Sequence, residues 1–548
     1  METFERIIFT LERIVWSFPE SVFGFQSLPL LVVVILGFGI FITLRLGFIQ
    51  IFQFKHAFKV LSGKYDDPDD KGDINHFQAL STALSATVGV GNIAGVALAI
   101  HIGGPGALFW MWVTAIFGMA IKYTECTLGA HYRVTNNDGT VSGGPMYYIE
   151  RGLGPNWKWL AVLFAVAGSI CALLTGNAVQ ANTLADVMNT DFNIPVYVTG
   201  LITATLVGAV ILGGIKRIGY VTARVVPLMA ILYVFGGLVI LLLNYDHVIP
   251  GFITIVSNAF NPTAGALGVG SGALIVTLSY GVQRGLFSNE AGQGSSPIAM
   301  SASKTKDPVH AGLVGLIGPF IDTLVVCTIT GLVIIVTGAW DSYHKTTLAP
   351  DGPNLAYVID VPEEHLLRFE EGVPVNGSMQ RFRINVDTMF VDSEYRIPFN
   401  GVIDISERPI AFDETGAEVD RLFGGVVENV ASLTSAAFRI GLSPLMPGGQ
   451  FLVTIAVFFF VISTSISWSY YGERSIHYLF GDRSIFSYRL IFVGMHLFGA
   501  IVSVSVIWSF GDVMLGIMAL VNIIGLIALS GVIYKITQQY IANKNDND

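Results

Sequence analysis

Ser85-Ala-Thr-Val-Gly-Val-Gly-Asn92-Ile-Ala-Gly-Val96, continued by Ala97-Leu-Ala-Ile-His-Ile-Gly-Gly-Pro-Gly106 and Ala107-Leu-Phe-Trp-Met-Trp-Val-Thr-Ala-Ile-Phe-Gly118, is apolar enough for lipid yet broken by glycines around Thr87 and Asn92. A bilayer cannot hydrogen-bond the backbone of a broken helix, so the segment has to face protein or a polar cavity. It predicts a binding site at membrane depth. Of the 548 residues 52% are hydrophobic and only 13% charged, where soluble domains carry roughly 25% charged. The mean hydropathy of +0.63 likewise marks an integral membrane protein.

The formal net charge of −10 says little about partners, because acidic residues concentrate between Asp341 and Asp420. No nucleic acid is expected as a partner. Cys126, Cys171 and Cys327 sit in apolar stretches and read as free, buried thiols rather than a disulfide framework. At the N-terminus Glu2, Glu5, Glu12 and Glu20 offset Arg6 and Arg13, so no cleaved leader is expected.

Apolar runs near the ~20 residues that cross about 30 Å of hydrocarbon recur eleven times, at 27–48, 78–101, 106–132, 157–183, 195–213, 219–244, 264–300, 308–338, 444–476, 486–508 and 511–536. Lys and Arg collect in alternate connections, while 102–105, 184–194 and 245–263 carry none. Basic loops stay cytoplasmic, which predicts an amino end outside, a carboxyl end inside and an odd number of spans. The chain divides into 1–77 (amphipathic helix, first span, cytoplasmic loop), 78–338 (seven spans), 339–425 (a polar external insertion), 426–536 (three spans with a preceding external segment) and a cytoplasmic tail, 537–548. Within the insertion, Arg381-Phe-Arg-Ile-Asn-Val-Asp-Thr-Met-Phe-Val-Asp392 alternates polar and apolar positions, the signature of strands, so the alternatives are a small β-rich cap or a disordered acidic loop. Asn376-Gly-Ser378 is a formal glycosylation match of low specificity. Met1 to Ser17 places Phe4, Ile7, Ile8, Leu11, Ile14 and Val15 on one side of an amphipathic helix, suited to packing or to the membrane interface.

A second interrupted span begins around Gly270 and centres on Ser279-Tyr-Gly-Val-Gln-Arg-Gly-Leu-Phe-Ser-Asn-Glu-Ala-Gly-Gln-Gly-Ser-Ser-Pro297, with Arg284 and Glu290 among apolar neighbours. Each interior glycine costs a helix about 1 kcal/mol, and an ionisable group at membrane depth at least ~2.5–3.5 kcal/mol. The two interrupted spans lie five apart, which predicts an all-α polytopic fold with a 5+5 inverted-repeat (LeuT-like) core and one extra N-terminal span. Helices that restart after a break offer N–H groups and a positive dipole end to a carboxylate, about 0.3–2 kcal/mol apiece. Unwound carbonyls and hydroxyls offer hard oxygen ligands to a small cation, so cotransport of an amino acid with Na+ fits both halves. No GxxxxGK[ST] motif is present, which favours a gradient-driven mechanism over a pump.

Gly103 to Gly118 resembles the signature of the alanine or glycine:cation symporters, the sodium:alanine symporter family. Thr87-Val-Gly-Val-Gly-Asn-Ile-Ala-Gly-Val96, Gly143-Gly-Pro-Met-Tyr-Tyr-Ile149, Arg284-Gly-Leu-Phe-Ser-Asn-Glu-Ala-Gly292 and Trp468-Ser-Tyr-Tyr-Gly-Glu473 look like further blocks of it. The resemblance covers nearly all of the chain except the insertion, and implies a ten-helix core of the amino-acid/polyamine/cation type. It also implies Na+-coupled, sometimes H+-coupled, uptake of alanine, glycine or a similar amino acid across a prokaryotic inner membrane, with no enzyme activity and no cofactor beyond the coupling ion. A monomer among membrane lipids is expected. A sensor or channel that reuses the fold is the alternative; an intramembrane enzyme lacks a nucleophile–base pair or metal constellation.

Thr87, Gly89, Gly91 and Asn92 sit at the first break, where backbone N–H groups and the Asn92 side chain are expected to hold substrate; close helix packing by small residues is the plainer account. Phe287 and Asn289 are expected to follow the second break, Phe287 limiting side-chain size or simply packing, Asn289 needing a partner because a buried unpaired amide costs ~1–3 kcal/mol. Gln180 is either a substrate ligand or an interhelical hydrogen bonder. By resemblance, Ser463 and Thr464 complete a Na+ site with carbonyls of Ser85 and Val88, although membrane hydroxyls often bond their own backbone. Trp468 would close the apolar wall. Asp322 reads as a proton-coupling site or a salt-bridged anchor. Glu125 and His131 read as gate or solvated contacts, Asp66-Asp-Pro-Asp-Asp70 as a solvated loop, and Phe109, Trp110 and Trp112 as an aromatic belt.

Overall fold

Length and composition decide which helices can stand in a bilayer. The computed structural model describes residues 2–18, 29–67, 69–261, 271–341, 344–351, 355–359, 365–381, 384–386, 388–406, 408–426, 430–502 and 505–545. Among these, seven helical stretches are long and apolar enough to cross: Ala107–His131, Pro155–Asn189, Gly214–Leu243, Pro308–Val336, Gln450–Phe480, Ser484–Ile501 and Ile507–Ala528. The pair His76–Thr87 and Gly91–Gly103, bent by 53°, makes an eighth. Leu30–Arg45 and Val196–Ile211 are apolar but only 16 residues long, about 24 Å at 1.5 Å per residue. The run 264–300 begins in residues outside the description. Eleven hydropathic runs thus correspond to seven or eight helices that meet the length requirement among the described residues.

The first break falls where it was expected. Asn75 starts its helix with a capping box, accepting from Gln78 N at 2.8 Å while Asn75 N donates to Gln78 Oε1 at 3.1 Å. The helix ends at Val88, whose φ of −78° and ψ of 90° turn its carbonyl out of the helical direction. The chain restarts through a π-helical turn, Gly91–Gly95, into Val96–Gly103.

The second break is displaced from its expected position. Helix Ser271–Asn289 runs straight through Gly281 and Gly285. A Cβ at Gly281 would lie 2.7 Å from Trp110 Cβ, and one at Gly285 would lie 3.1 Å from Met111 Cα and crowd the Thr114 hydroxyl. These glycines serve close packing against Ala107–His131 instead of a break. The chain leaves helical geometry only at Glu290, Gly292 and Gly294, with φ of 55°, 82° and 78°, and re-enters it at Ser296–Met300. Phe287 and Asn289 therefore precede the break, and no half-helix begins at them.

Both breaks are tied to a third helix by one buried network. Gly89 N donates to Asn92 Oδ1 at 2.9 Å, and Asn92 Nδ2 donates to Asp322 Oδ1 at 2.5 Å. Ser288 and Thr323 hydroxyls donate to Asp322 Oδ2 at 2.8 and 2.7 Å. Asp322 is fully buried and lies on a π-helical segment, Phe320–Cys327. It makes no ion pair among the described residues, so it is not a salt-bridged anchor; its partners are neutral donors.

The N-terminal helix Glu2–Ser17 buries Ile8 and Trp16, and Trp16 Nε1 donates to the Asp512 carbonyl at 2.9 Å, so it packs on the helix Ser505–Ala528. Ile7, Leu11 and Ile14 remain exposed on it. The polar insertion is built of strands. Gly401–Asp404 pairs antiparallel with Leu366–Glu370 on one side and Ile410–Asp413 on the other. That register places Leu367, Ile403 and Ala411 in one row, all three fully buried in a small core of the insertion's own. Strand His344–Leu348 pairs with Leu422–Val426, so the insertion leaves and returns through one antiparallel stem. Part of the alternating run 381–392, namely 382–383 and 387, lies outside the described residues.

Two stability predictions follow from the packing and the network. Gly285→Val, which overpacks a backbone contact at a cost of about 1–3 kcal/mol, should lower the apparent melting temperature in detergent by several degrees. Gly95→Ala, whose Cβ would meet nothing within 4 Å, should leave it within a degree or so of wild type; equal melting of both variants would refute the packing role. Asp322→Asn places an N–H among donors and should also lower the melting temperature by several degrees without ligand, since a buried group left unpaired costs about 1–3 kcal/mol. An unchanged value would show that the network does not hold the breaks.

Candidate functional site

A polar pocket inside a bilayer has to be walled by residues that can tolerate leaving the helix, and the two breaks supply them. Between them lies a cavity of about 40 Å³, close to the roughly 30 Å³ share of one water. Thr87, Gly89 and Gly91 of the first break line it, with Phe287 before the second break and Trp468 and Gln180 from two other helices. Six of the eight expected substrate residues thus meet at one hollow. Two wider hollows, of about 820 and 730 Å³, lie open at helix ends, one beside Glu150 and His477, the other beside Lys216 and Arg489. They include neither break.

Asn92 and Asn289 do not line this cavity. Asn92 is spent on Gly89 and Asp322 as described, and Asn289 Oδ1 accepts from Ala291 N at 2.9 Å while its Nδ2 reaches the Thr323 hydroxyl at 3.4 Å. Both amides shape the wall from behind. Thr87 donates to the carbonyls of Ala83 and Leu84 at 3.3 and 3.2 Å, so its lone pairs remain for the cavity side. Trp468 packs against the π-helical turn Leu174–Ala178: a Cβ on Gly176 would lie 2.6 Å from Trp468 Cβ. That turn is itself held by Asn177, which donates to the Phe492 carbonyl at 2.7 Å and accepts from or faces His496 at 2.7 Å.

Of the four expected cation ligands, Thr464 and Ser85 are bonded directly, whereas the Ser463 hydroxyl donates to its own helix at the Phe460 carbonyl at 3.1 Å. Thr464 Oγ1 donates to the Ser85 carbonyl at 3.0 Å, and Ser85 Oγ donates to the Ser463 carbonyl at 2.6 Å. Val88 is fully buried at the end of the helix that carries Ser85, in extended geometry. A Cβ on Gly89 would come within 2.8 Å of Thr464 Oγ1, so the hydroxyl also touches the cavity wall. The Ser85 and Ser463 carbonyls and the Ser85 and Thr464 hydroxyls form a neutral oxygen set, the chemistry that suits a hard cation rather than a transition metal. No group of three or more His, Cys, Asp or Glu gathers as a metal site among the described residues.

Three polar cavity residues were not assigned from the sequence: Thr175, Glu290 and Gln293. The legible signal was the polar run Ser288-Asn-Glu-Ala-Gly-Gln293 inside an apolar span; placing the break too early hid its meaning.

Residues 10–354 and 418–548 match the sodium:alanine symporter family. The chain is 42% identical over 527 residues to the sodium/alanine symporter AgcS of Methanococcus maripaludis, covering 96% of this chain and 97% of that one. It is 38% identical to an uncharacterized transporter of Haemophilus influenzae, covering 98% and 96% of the two chains, and 31% identical to the amino-acid carrier protein AlsT of Bacillus subtilis, covering 92% and 88%. Among solved structures, a manganese transporter of Eremococcus coleocola overlays with a TM-score of 0.44 at 13% identity, covering 85% of this chain and 81% of its own, too distant a likeness to argue from. With its family blocks, its membrane-crossing helices and a polar cavity between two breaks, the chain belongs to the sodium:alanine symporter family.

Proposed function

We propose that the protein carries a small neutral amino acid, alanine or glycine, into the cell together with Na+ by alternating access of the cavity between the breaks. The observation that carries this reading is the contact of an all-oxygen set with the small cavity between the breaks: Thr464 both donates to the Ser85 carbonyl and lines the hollow. Na+ held by Ser85, Val88, Ser463 and Thr464 would fix the first break against helix Gln450–Phe480 and so shape the wall at Gly89. The restarting helix at Val90 and Gly91 presents N–H groups without intrahelical partners by position, suited to the substrate carboxylate. Phe287 and Trp468 bound the space for the side chain, and a hollow of about 40 Å³ favours a methyl group over a long chain. In this reading the amino end faces outward and the carboxyl end the cytoplasm, as the basic loops indicate, and a ten-helix inverted-repeat core carries the movement.

One Na+ entering down 100 mV gains ~2.3 kcal/mol, about a fiftyfold accumulation at 1.36 kcal/mol per decade. A second reading, H+ coupling, is favoured by one observation only, the buried Asp322 carboxylate with neutral partners behind the first break.

In proteoliposomes, alanine or glycine uptake should accumulate against a gradient and collapse when the Na+ gradient is removed; uptake unchanged without Na+ but lost with the proton gradient would favour the second reading. Thr464→Ala should raise the Na+ concentration for half-activation about tenfold or more, the worth of one bond to a charged partner. Thr464→Ser should restore it. Unaltered Na+ activation in the alanine variant would displace the cation site.

A further inference from the structure

The polar atoms around the cavity are unequal in kind. Gln293 donates its amide Nε2 to the Leu286 carbonyl at 3.0 Å, and Gln180 donates its own to the Thr175 carbonyl at 3.2 Å. A carbonyl can only accept, so each of these bonds fixes which way its amide is turned. Both Oε1 atoms are then left buried without a hydrogen-bond partner among the described residues. Gln293 is only 2% exposed, and both residues line the hollow.

Glu290 adds a carboxylate to the same wall at 5% exposure. It accepts from the Ser295 hydroxyl at 2.5 Å and faces Trp468, which leaves acceptor sites over from the roughly four a carboxylate has. The charge of buried Lys122 reaches Glu290, but its contacts lie elsewhere: it bonds Ser296 and stands 3.7 Å from Glu125. Glu290 makes no ion pair among the described residues. A carboxylate taken out of water with no cation in contact is costly, and a cationic ligand would offset that cost.

The backbone gives an independent indication. Glu290 has a φ of 55°, a left-handed conformation that the same turn fills with glycine at 292 and 294. A side chain is disfavoured there by roughly 1–2 kcal/mol, so its presence points to a task for the carboxylate.

We infer that Glu290, Gln293 and Gln180 form an ammonium-binding pole, which takes the protonated primary amine of the substrate while the Gly89–Gly91 turn faces its carboxylate. The inference rests on the amino-acid reading of this cavity and adds its selectivity. Three acceptors suit a group with up to three N–H donors and one positive charge. A hydroxy acid of the same size, with one neutral donor in place of the amine, leaves two acceptors unpaired and brings no positive charge to Glu290.

The test compares L-alanine with L-lactate by tryptophan fluorescence titration of the purified full-length protein in Na+. Wild type should prefer alanine strongly. Glu290→Gln and Gln293→Met should each weaken alanine about tenfold or more, while lactate binding stays the same or, in Glu290→Gln, tightens. Should Glu290→Gln elute as aggregate, Gln293→Met decides through the same preference. Loss of alanine and lactate binding by equal factors, or wild-type alanine affinity in both variants, overturns the ammonium pole while the amino-acid reading stands. A wild-type protein with no saturable response to any small amino acid overturns that reading, and the pole with it.

Discussion

A backbone group that leaves a helix inside a bilayer has to be met by protein, because lipid offers nothing in return. Every feature of this site follows from how that demand is answered at the first break. Asn92 answers it locally by accepting from Gly89 N, and so holds the turn open without using the cavity face. Its remaining N–H reaches Asp322, which also gathers Ser288 of the helix that leads to the second break. One carboxylate therefore fixes the relative position of the two interruptions. Asn92 Nδ2 also reaches the Ser288 hydroxyl directly at 3.2 Å, and Asn522 holds the second turn by donating to the Gly292 carbonyl at 2.9 Å.

This arrangement separates support from recognition. Asn92, Asn289, Asp322 and Thr323 work behind the wall, whereas Thr87, Gly89, Gly91 and Trp468 form its surface. Three π-helical turns, Gly91–Gly95, Leu174–Ala178 and Phe320–Cys327, stand around the site, each widening a helix where a regular one would fill the space. Such turns carry looser hydrogen bonding than regular helix, and two of them bring backbone to the cavity wall, at Gly91 and Thr175.

The membrane setting, the first break and the family blocks were legible because they rest on composition and on glycines grouped around the polar Thr87 and Asn92. Gly281 and Gly285 misled for the opposite reason: in sequence a packing glycine and a breaking glycine look alike, and only the neighbouring Met111 and Trp110 distinguish them. The shift of the break from there to Glu290 moved Phe287 and Asn289 to its near side and concealed Gln293. Asn92 was expected to hold substrate, but its direction depended on Asp322, 230 positions away, which turns it behind the wall. The π-helical turns left no trace in periodicity, since each adds a single residue to a helix that continues. Gln180 was visible as polar, while the orientation of its amide was set by a carbonyl five residues earlier.

The strand-built insertion has its own consequence for the history of the chain. Family similarity pauses between 354 and 418, and the strands on either side of that interval, His344–Leu348 and Leu422–Val426, pair with each other from Leu348 opposite Leu422 to His344 opposite Val426. The stem pins both ends of the added segment a strand spacing apart, so the helices before and after it experience a short connection however long the segment grows. Loop-closure entropy rises only slowly with length, and the inserted residues supply a core of their own. The transporter body could thus acquire, enlarge or shed this module without renegotiating the packing of its membrane helices.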